Sequence, residues 1–228
     1  MSGMMQAFTL TPQMLQSRLN HNPVIYTQGF TMAKRMTASQ ELKPEIARKG
    51  IHLLIAFVPT LAAQDLSLTA LLLMVGMLFY TGAESMRFLG VPLPVLSSVT
   101  ESVLRKREQG CFALAPVTLG LGALFALIIF PPPVAAAAIY ALAFGDSAAS
   151  LVGKFLGRLR PAFMSGKSIE GTLACFAVSA LAGFSVFHDW KIAAAIGTAS
   201  MIVDMLPFED FDNLLLPLAA GLAIIIIQ

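Results

Sequence analysis

Charge is what this sequence has least of. Only 12% of its 228 residues are charged while 57% are hydrophobic, and the mean hydropathy is +0.76. Soluble domains carry about 25% charged residues, so an ordinary soluble fold is excluded. Cysteine is equally scarce: Cys111 and Cys175 stand alone in apolar runs. That rules out a disulfide framework or a zinc fold and leaves both as packing residues. The formal net charge of +2 is too small for a nucleic-acid binder, and none is expected as a partner. Met1–Gln40 holds no acidic residue at all. No internal repeat is visible, and no hydrophilic run is long enough for a second domain.

What is present is a series of uncharged stretches: Gly50–Gln64, Leu66–Ala83, Gly110–Gly145, Gly171–His188, Ile192–Val203 and Asn213–Gln228. Pro131, Pro132 and Pro133 divide the third, because consecutive prolines remove backbone donors and end a helix. The sequence therefore predicts an all-α polytopic membrane bundle of about seven transmembrane helices. A span needs roughly 20 apolar residues, so the first and sixth stretches are short. Snorkelling of Arg48 and Lys49 to the interface extends the first, and the sixth either crosses or re-enters.

Basic residues orient the bundle. With the amino terminus cytosolic, 14 Lys and Arg fall inside and one outside, the bias of the positive-inside rule. Residues 1–40 read as a polar extension, a cytosolic tail on anionic lipid or a targeting segment. Residues 41–228 form one membrane-embedded domain, and Met86–Gln109 is expected to hold a short interfacial helix.

The residues able to do chemistry gather on the expected cytosolic side. Arg48, Lys49 and His52 stand at the entry of the first span, where anchoring alone accounts for the cations but not for the imidazole. At the end of the fourth, Gly145, Ala149, Gly153 and Gly157 make a small-residue stripe beside a polar one of Asp146, Ser150, Lys154 and Arg158. Helix packing explains the small stripe. It does not explain Asp146, whose insertion costs roughly 2.5–3.5 kcal/mol at mid-membrane unless paired or metal-bound.

Leading into the fifth span, Ser165-Gly166-Lys167-Ser168-Ile169-Glu170-Gly171-Thr172 offers a cation and hydroxyls at a helix amino terminus, where the dipole favours phosphate. Position 161 is Pro, so the earlier glycine of a Walker loop is missing. Ser168 also suits a plain helix cap. The turn Leu206–Asn213 contributes Glu209, Asp210 and Asp212, hard oxygen ligands of the kind magnesium takes, or else a solvated acidic turn. Glu84 and the Arg107–Glu108 pair read as structural ion pairs at helix ends.

Arg48-Lys49-x-x-His52, Gly145-Asp146-Ser147-Ala148-Ala149 with Gly153, Lys154 and Gly157, Lys167-Ser168-x-Glu170-Gly171-Thr172, and Asp212-Asn213 with Pro217 together resemble the polyprenol and diacylglycerol kinase family, which includes dolichol and phytol kinases. The likeness runs from about Glu41 to the carboxyl end. It implies a multi-helix enzyme that moves the γ-phosphate of a nucleotide, commonly CTP, with ATP left open, to a lipid alcohol with Mg2+. The alcohol is a polyprenol, phytol or diacylglycerol. By that likeness Arg48, Lys49, Asp146, Gly153, Lys167, Glu170 and Asp212 belong to the active site. Within it, Asp146 and Asp212 are expected to hold magnesium, and Lys154 and Lys167 the donor phosphates. Gly145, Ser168 and Gly171 are expected to line the donor site, with Arg48 and Lys49 clamping its other side. His52 or Glu170 is expected to position the lipid hydroxyl. Where relatives often carry Glu before the last loop this chain has Asp204, one methylene shorter, and no ligand role is assigned to it.

Two rival readings remain. A phosphatidate cytidylyltransferase shares CTP and magnesium, but its late Pro-Gly-His-Gly-Gly-Asp run has no counterpart in Phe208-Glu209-Asp210-Phe211-Asp212-Asn213. A small membrane transporter favours midplane charges and repeats, neither of which is seen.

Overall fold

A computed structural model describes residues 44–91, 98, 100, 111–164, 166–208 and 211–228. The extension over 1–40, most of the segment expected to hold an interfacial helix, the Arg107–Glu108 pair, Ser165, Glu209 and Asp210 lie outside the described residues. Among the described residues seven helices of 15 to 24 residues follow one another: α1 (Pro44–Gln64), α2 (Leu66–Phe88), α3 (Ala115–Ile129), α4 (Pro132–Phe155), α5 (Ile169–Phe187), α6 (Trp190–Met205) and α7 (Asp212–Ile227). Four of them, α1, α2, α4 and α5, are long and apolar enough to cross a membrane. The protein is an integral membrane helix bundle.

Proline sets the break between α3 and α4. Phe130 is extended, and α4 starts at Pro132, within the proline run itself, because proline fits the first helical turn, where no N–H partner is needed. Helix α4 is central, with Ala137, Ala138, Ile139, Ala141, Leu142 and Ala143 fully buried. Its middle turn, Ala141–Asp146, is π-helical, a widening frequent at functional sites.

The first span corrects the sequence reading. Helix α1 begins at Pro44 rather than Gly50, and its cations do not snorkel: Arg48 and Lys49 are 7% and 2% exposed. The helix reaches full length by turning these charges inward, where carboxylates receive them.

Close packing of α4 on α5 depends on glycine. A Cβ on Gly145 falls 2.1 Å from Ser179 Oγ, and one on Gly171 falls 2.6 Å from the Ala149 carbonyl oxygen. Gly153 faces Ser168 Oγ and the Gly171 Cα across the same seam. Helix α6 lies against α5 along its length, with Ile196 packed on Gly183 towards one end and Asp204 bonded to Thr172 at the other.

Helix α7 is located by α3. Pro217 has no N–H to give the carbonyl one turn earlier, which is that of Asn213. Gly122 of α3 approaches that oxygen so closely that a Cβ there falls 2.2 Å from it. The Asn213 amide donates to Thr118 Oγ1 at 3.2 Å and to the Ala115 carbonyl at 3.4 Å. These contacts fix the start of α7, and with it Asp212.

Candidate active site

Five helix ends meet at one end of the bundle: the starts of α1, α5 and α7 and the ends of α4 and α6. Two antiparallel helices carry its first half. On α1, Glu45 and Lys49 sit one turn apart; on α4, Asp146 and Lys154 share a face. Lys49 Nζ donates to Asp146 Oδ2, and Lys154 Nζ lies 2.7 Å from Glu45 Oε2. His52, one further turn along α1, places Nδ1 3.1 Å from Asp146 Oδ2. Arg48 donates to the other Glu45 oxygen at 2.5 Å. Glu45, Lys49, His52 and Asp146 are all less than a tenth exposed. Charges buried this deeply persist only when paired and hydrogen-bonded, and Glu45, Lys49 and Asp146 each have such a partner.

Lys167 carries the second half. Its Nζ lies 3.3 Å from Asp212 Oδ2 at the start of α7 and 3.5 Å from Asp204 Oδ1 near the end of α6. Asp204 also accepts from Thr172 Oγ1 at 2.6 Å. The halves are joined electrostatically: the Asp212 carboxylate is within reach of the charges of Asp146, Lys49 and Lys167. Cys175 packs beneath them, in the fields of both Asp146 and Asp204.

The structure therefore brings together Lys49, His52, Asp146, Lys167 and Asp212 and sets Arg48 and Lys154 beside them through Glu45. Other residues singled out in the sequence are occupied structurally. Gly145, Gly153 and Gly171 are filled by the α4–α5 contact. Ser168 caps α5, its Oγ accepting from Gly171 N at 3.1 Å. The Glu170 carboxylate turns towards the α4–α5 connection and accepts from the backbone N–H groups of Arg158 and Leu159 at 3.0 and 3.2 Å. Arg160 holds the other side of that connection by donating to the Gly153 carbonyl at 2.6 Å and to that of Gly166.

Two participants escaped the sequence reading. Glu45 lies in a charged run that reads as a solvated flank, yet it is 2% exposed. Asp204 is 6% exposed and joins α5, α6 and Lys167. The available signal was position: Asp204 stands eight positions before Asp212, and an acid closing an apolar run costs as much there as at Asp146.

Among the described residues no three His, Cys, Asp or Glu side chains form a ready cage for a metal. The carboxylates are instead each held by a lysine, Asp146 by Lys49 and both Asp204 and Asp212 by Lys167. That donor set suits a cation such as magnesium, which takes one or two carboxylates and completes its shell with water and substrate phosphates.

Fold and site define a class: a helical integral membrane protein with a largely buried cluster of paired aspartates and lysines at one end. Comparison with known proteins narrows the class. The chain is 32% identical over 208 residues to a phytol kinase of Synechocystis sp., with 86% of each chain covered. It is 34% identical over 96 residues to the CTP-dependent diacylglycerol kinase 1 of Eremothecium gossypii, a match spanning 42% of this chain but 30% of that protein. No family model matches the chain, and no solved structure does. The chain belongs to the polyprenol and diacylglycerol kinase family.

Proposed function

We propose that the protein transfers the γ-phosphate of a nucleoside triphosphate, CTP in the first instance, to the hydroxyl of a membrane-dissolved alcohol in a magnesium-dependent reaction at the cytosolic face. One observation carries this reading: Lys49 with Asp146 and Lys167 with Asp212 and Asp204 converge from distant parts of the chain at one end of the helices. Phosphoryl transfer asks for positioning and charge neutralisation more than covalent chemistry. Asp146 and Asp212 would hold the metal, and when bound it neutralises charge on the phosphates.

The remaining roles fall to the chain's own side chains. Lys49 and Lys167 balance the carboxylates and present ammonium groups to the donor phosphates. Lys154, with a 35% exposed side chain, adds a cation at the rim, and the buried Arg48 adds one behind Glu45. The incoming hydroxyl must lose a proton, and His52 is placed to take it: its Nδ1 lies 3.1 Å from Asp146 Oδ2, which fixes the ring's orientation. Glu170, engaged with backbone N–H groups, is left to brace the loop.

Incubation of the purified protein with magnesium, CTP or ATP labelled at the γ-phosphate, and a panel of polyprenol, phytol and diacylglycerol tests the reading. Label is expected in the lipid, most strongly from CTP. Cytosine label in the lipid indicates a cytidylyltransferase instead, and label in no lipid with either nucleotide sinks the proposal.

A further inference from the structure

Beside this site a groove of about 500 Å3 opens laterally between α1, α4 and α5. Leu53, Ala56 and Phe57 of α1, Tyr140 and Phe144 of α4 and Ala182 of α5 line it. Among the described residues no charged side chain lines it, although charges crowd the adjoining end of the bundle. Its inner end adjoins the buried pair: Leu53 follows His52 directly, and Phe144 stands two residues before Asp146. The π-helical turn separates the two environments. Within it Phe144 is 40% exposed, while Asp146 is 8% exposed and faces Lys49. The Ser185 hydroxyl at the outer part of the wall is spent on the Ala182 carbonyl at 2.7 Å, so it offers no free donor to the groove.

The geometry points to this groove as the seat of the acceptor's hydrocarbon chain, specifically the segment next to the hydroxyl. The inference rests on the lipid kinase reading and adds to it how the acceptor is held. A hydroxyl delivered to His52 and Asp146 drags an apolar chain behind it, and that chain needs an uncharged path out to the bilayer. From Leu53 to Thr60 the α1 wall rises about 10 Å, at roughly 1.5 Å per residue. That is about a third of a hydrocarbon core of roughly 30 Å, so the groove grips the near part of one chain and leaves the rest in lipid. The volume falls within the range of roughly 300–1,000 Å3 for a single small ligand. A two-chain acceptor therefore seats one chain here and leaves the other in the bilayer. Affinity should rise with chain length until the groove is filled and then level off.

The test uses full-length protein in lipid nanodiscs, with saturating nucleotide and two acceptors, a long-chain alcohol and a water-soluble short-chain analogue. Ala56→Phe and Ala182→Phe each place a ring in the groove. The expected result is a KM at least fivefold higher for the long alcohol, with kcat/KM for the short analogue within twofold of wild type. Equal loss on both acceptors, or no change on either, overturns the assignment. A second measurement does not depend on turnover: a long-chain alcohol carrying a photoreactive diazirine near its hydroxyl is expected to label Leu53–Thr60 and Tyr140–Phe144 of the wild-type protein. Labelling elsewhere, or equal labelling of those segments by a diazirine phospholipid, overturns it too. If the wild-type protein phosphorylates neither acceptor, the kinase reading fails, and the photolabel alone decides the groove.

Discussion

Lys49 on α1 and Asp146 on α4 form an ion pair across 97 positions of chain, with side chains 3% and 11% exposed. A buried pair of this kind is costly to break and cheap to replace. Removing one partner leaves a bare charge and costs about 3–5 kcal/mol, whereas replacing both with apolar groups of similar size is near neutral. Lys49→Met should therefore lower the thermal unfolding temperature in detergent sharply. The double variant Lys49→Met with Asp146→Leu should recover most of that loss while remaining without kinase activity. Recovery of activity along with stability would contradict a chemical role for the pair.

Asp146→Asn keeps the size of the side chain and one oxygen to accept from Lys49, and removes the charge. Phosphorylation should fall by at least about a hundredfold, close to 2.7 kcal/mol of transition-state stabilisation, with membrane expression intact. Chelation of magnesium from the wild-type enzyme should silence it similarly, and added magnesium should restore it. Activity that survives in the variant removes Asp146 from the proposed metal site.

Asp204 performs two tasks that substitution can separate. Asp204→Asn still accepts from Thr172 Oγ1 but no longer holds Lys167 by charge. Activity should drop by about tenfold or more, equivalent to 1.4 kcal/mol, with little change in melting temperature. Thr172→Val should do the reverse, destabilising the α5–α6 contact by about 1.5–3 kcal/mol, the worth of a hydrogen bond to a charged group. Steady-state kinetics and thermal melts on the two variants check the separation.

Glu170 gives the sharpest contrast with Asp146. Glutamine at position 170 retains an oxygen for the N–H groups of Arg158 and Leu159, so Glu170→Gln should cost less than about tenfold in kcat/KM. Glu170→Ala, which removes the brace, should be worse. A hundredfold loss in the glutamine variant would return this residue to the reacting groups.

Packing at the α4–α5 seam is testable without any substrate. Gly171→Ala drives a methyl to 2.6 Å from the Ala149 carbonyl oxygen, and overpacking of this kind costs about 1–3 kcal/mol. Gly166 has φ +86° with open space around it, so Gly166→Ala carries only the left-handed backbone penalty of about 1–2 kcal/mol. Guided by these values, melts should rank Gly171→Ala as equal to or worse than Gly166→Ala.

Much of the site could be read from single positions because burying charge in a membrane is so expensive. Asp146 behind an apolar run and His52 inside a helix start announced themselves by that cost, and Lys167 by its place at a helix amino terminus that favours phosphate. The glycines were ambiguous for an equally physical reason: a residue without a side chain suits a phosphate and a neighbouring helix alike, and sequence does not show what lies across the gap. Gly145, Gly153 and Gly171 have that partner in the α4–α5 seam. Glu45 was hidden because a carboxylate among Lys and Arg looks the same in sequence whether it faces water or protein.

Hydropathy and the spacing of prolines were enough to determine a helical membrane protein and where its apolar stretches break, since the bilayer constrains every backbone polar group locally. Which charges meet was decided by tertiary structure alone. Glu45 finds Lys154, Lys49 finds Asp146, and Lys167 finds Asp204 and Asp212 only once the helices pack. Pairing across long separations depends on helix rotation and register, set by the Gly145, Gly171 and Gly122 contacts and the π-turn of α4 rather than by neighbours in the chain.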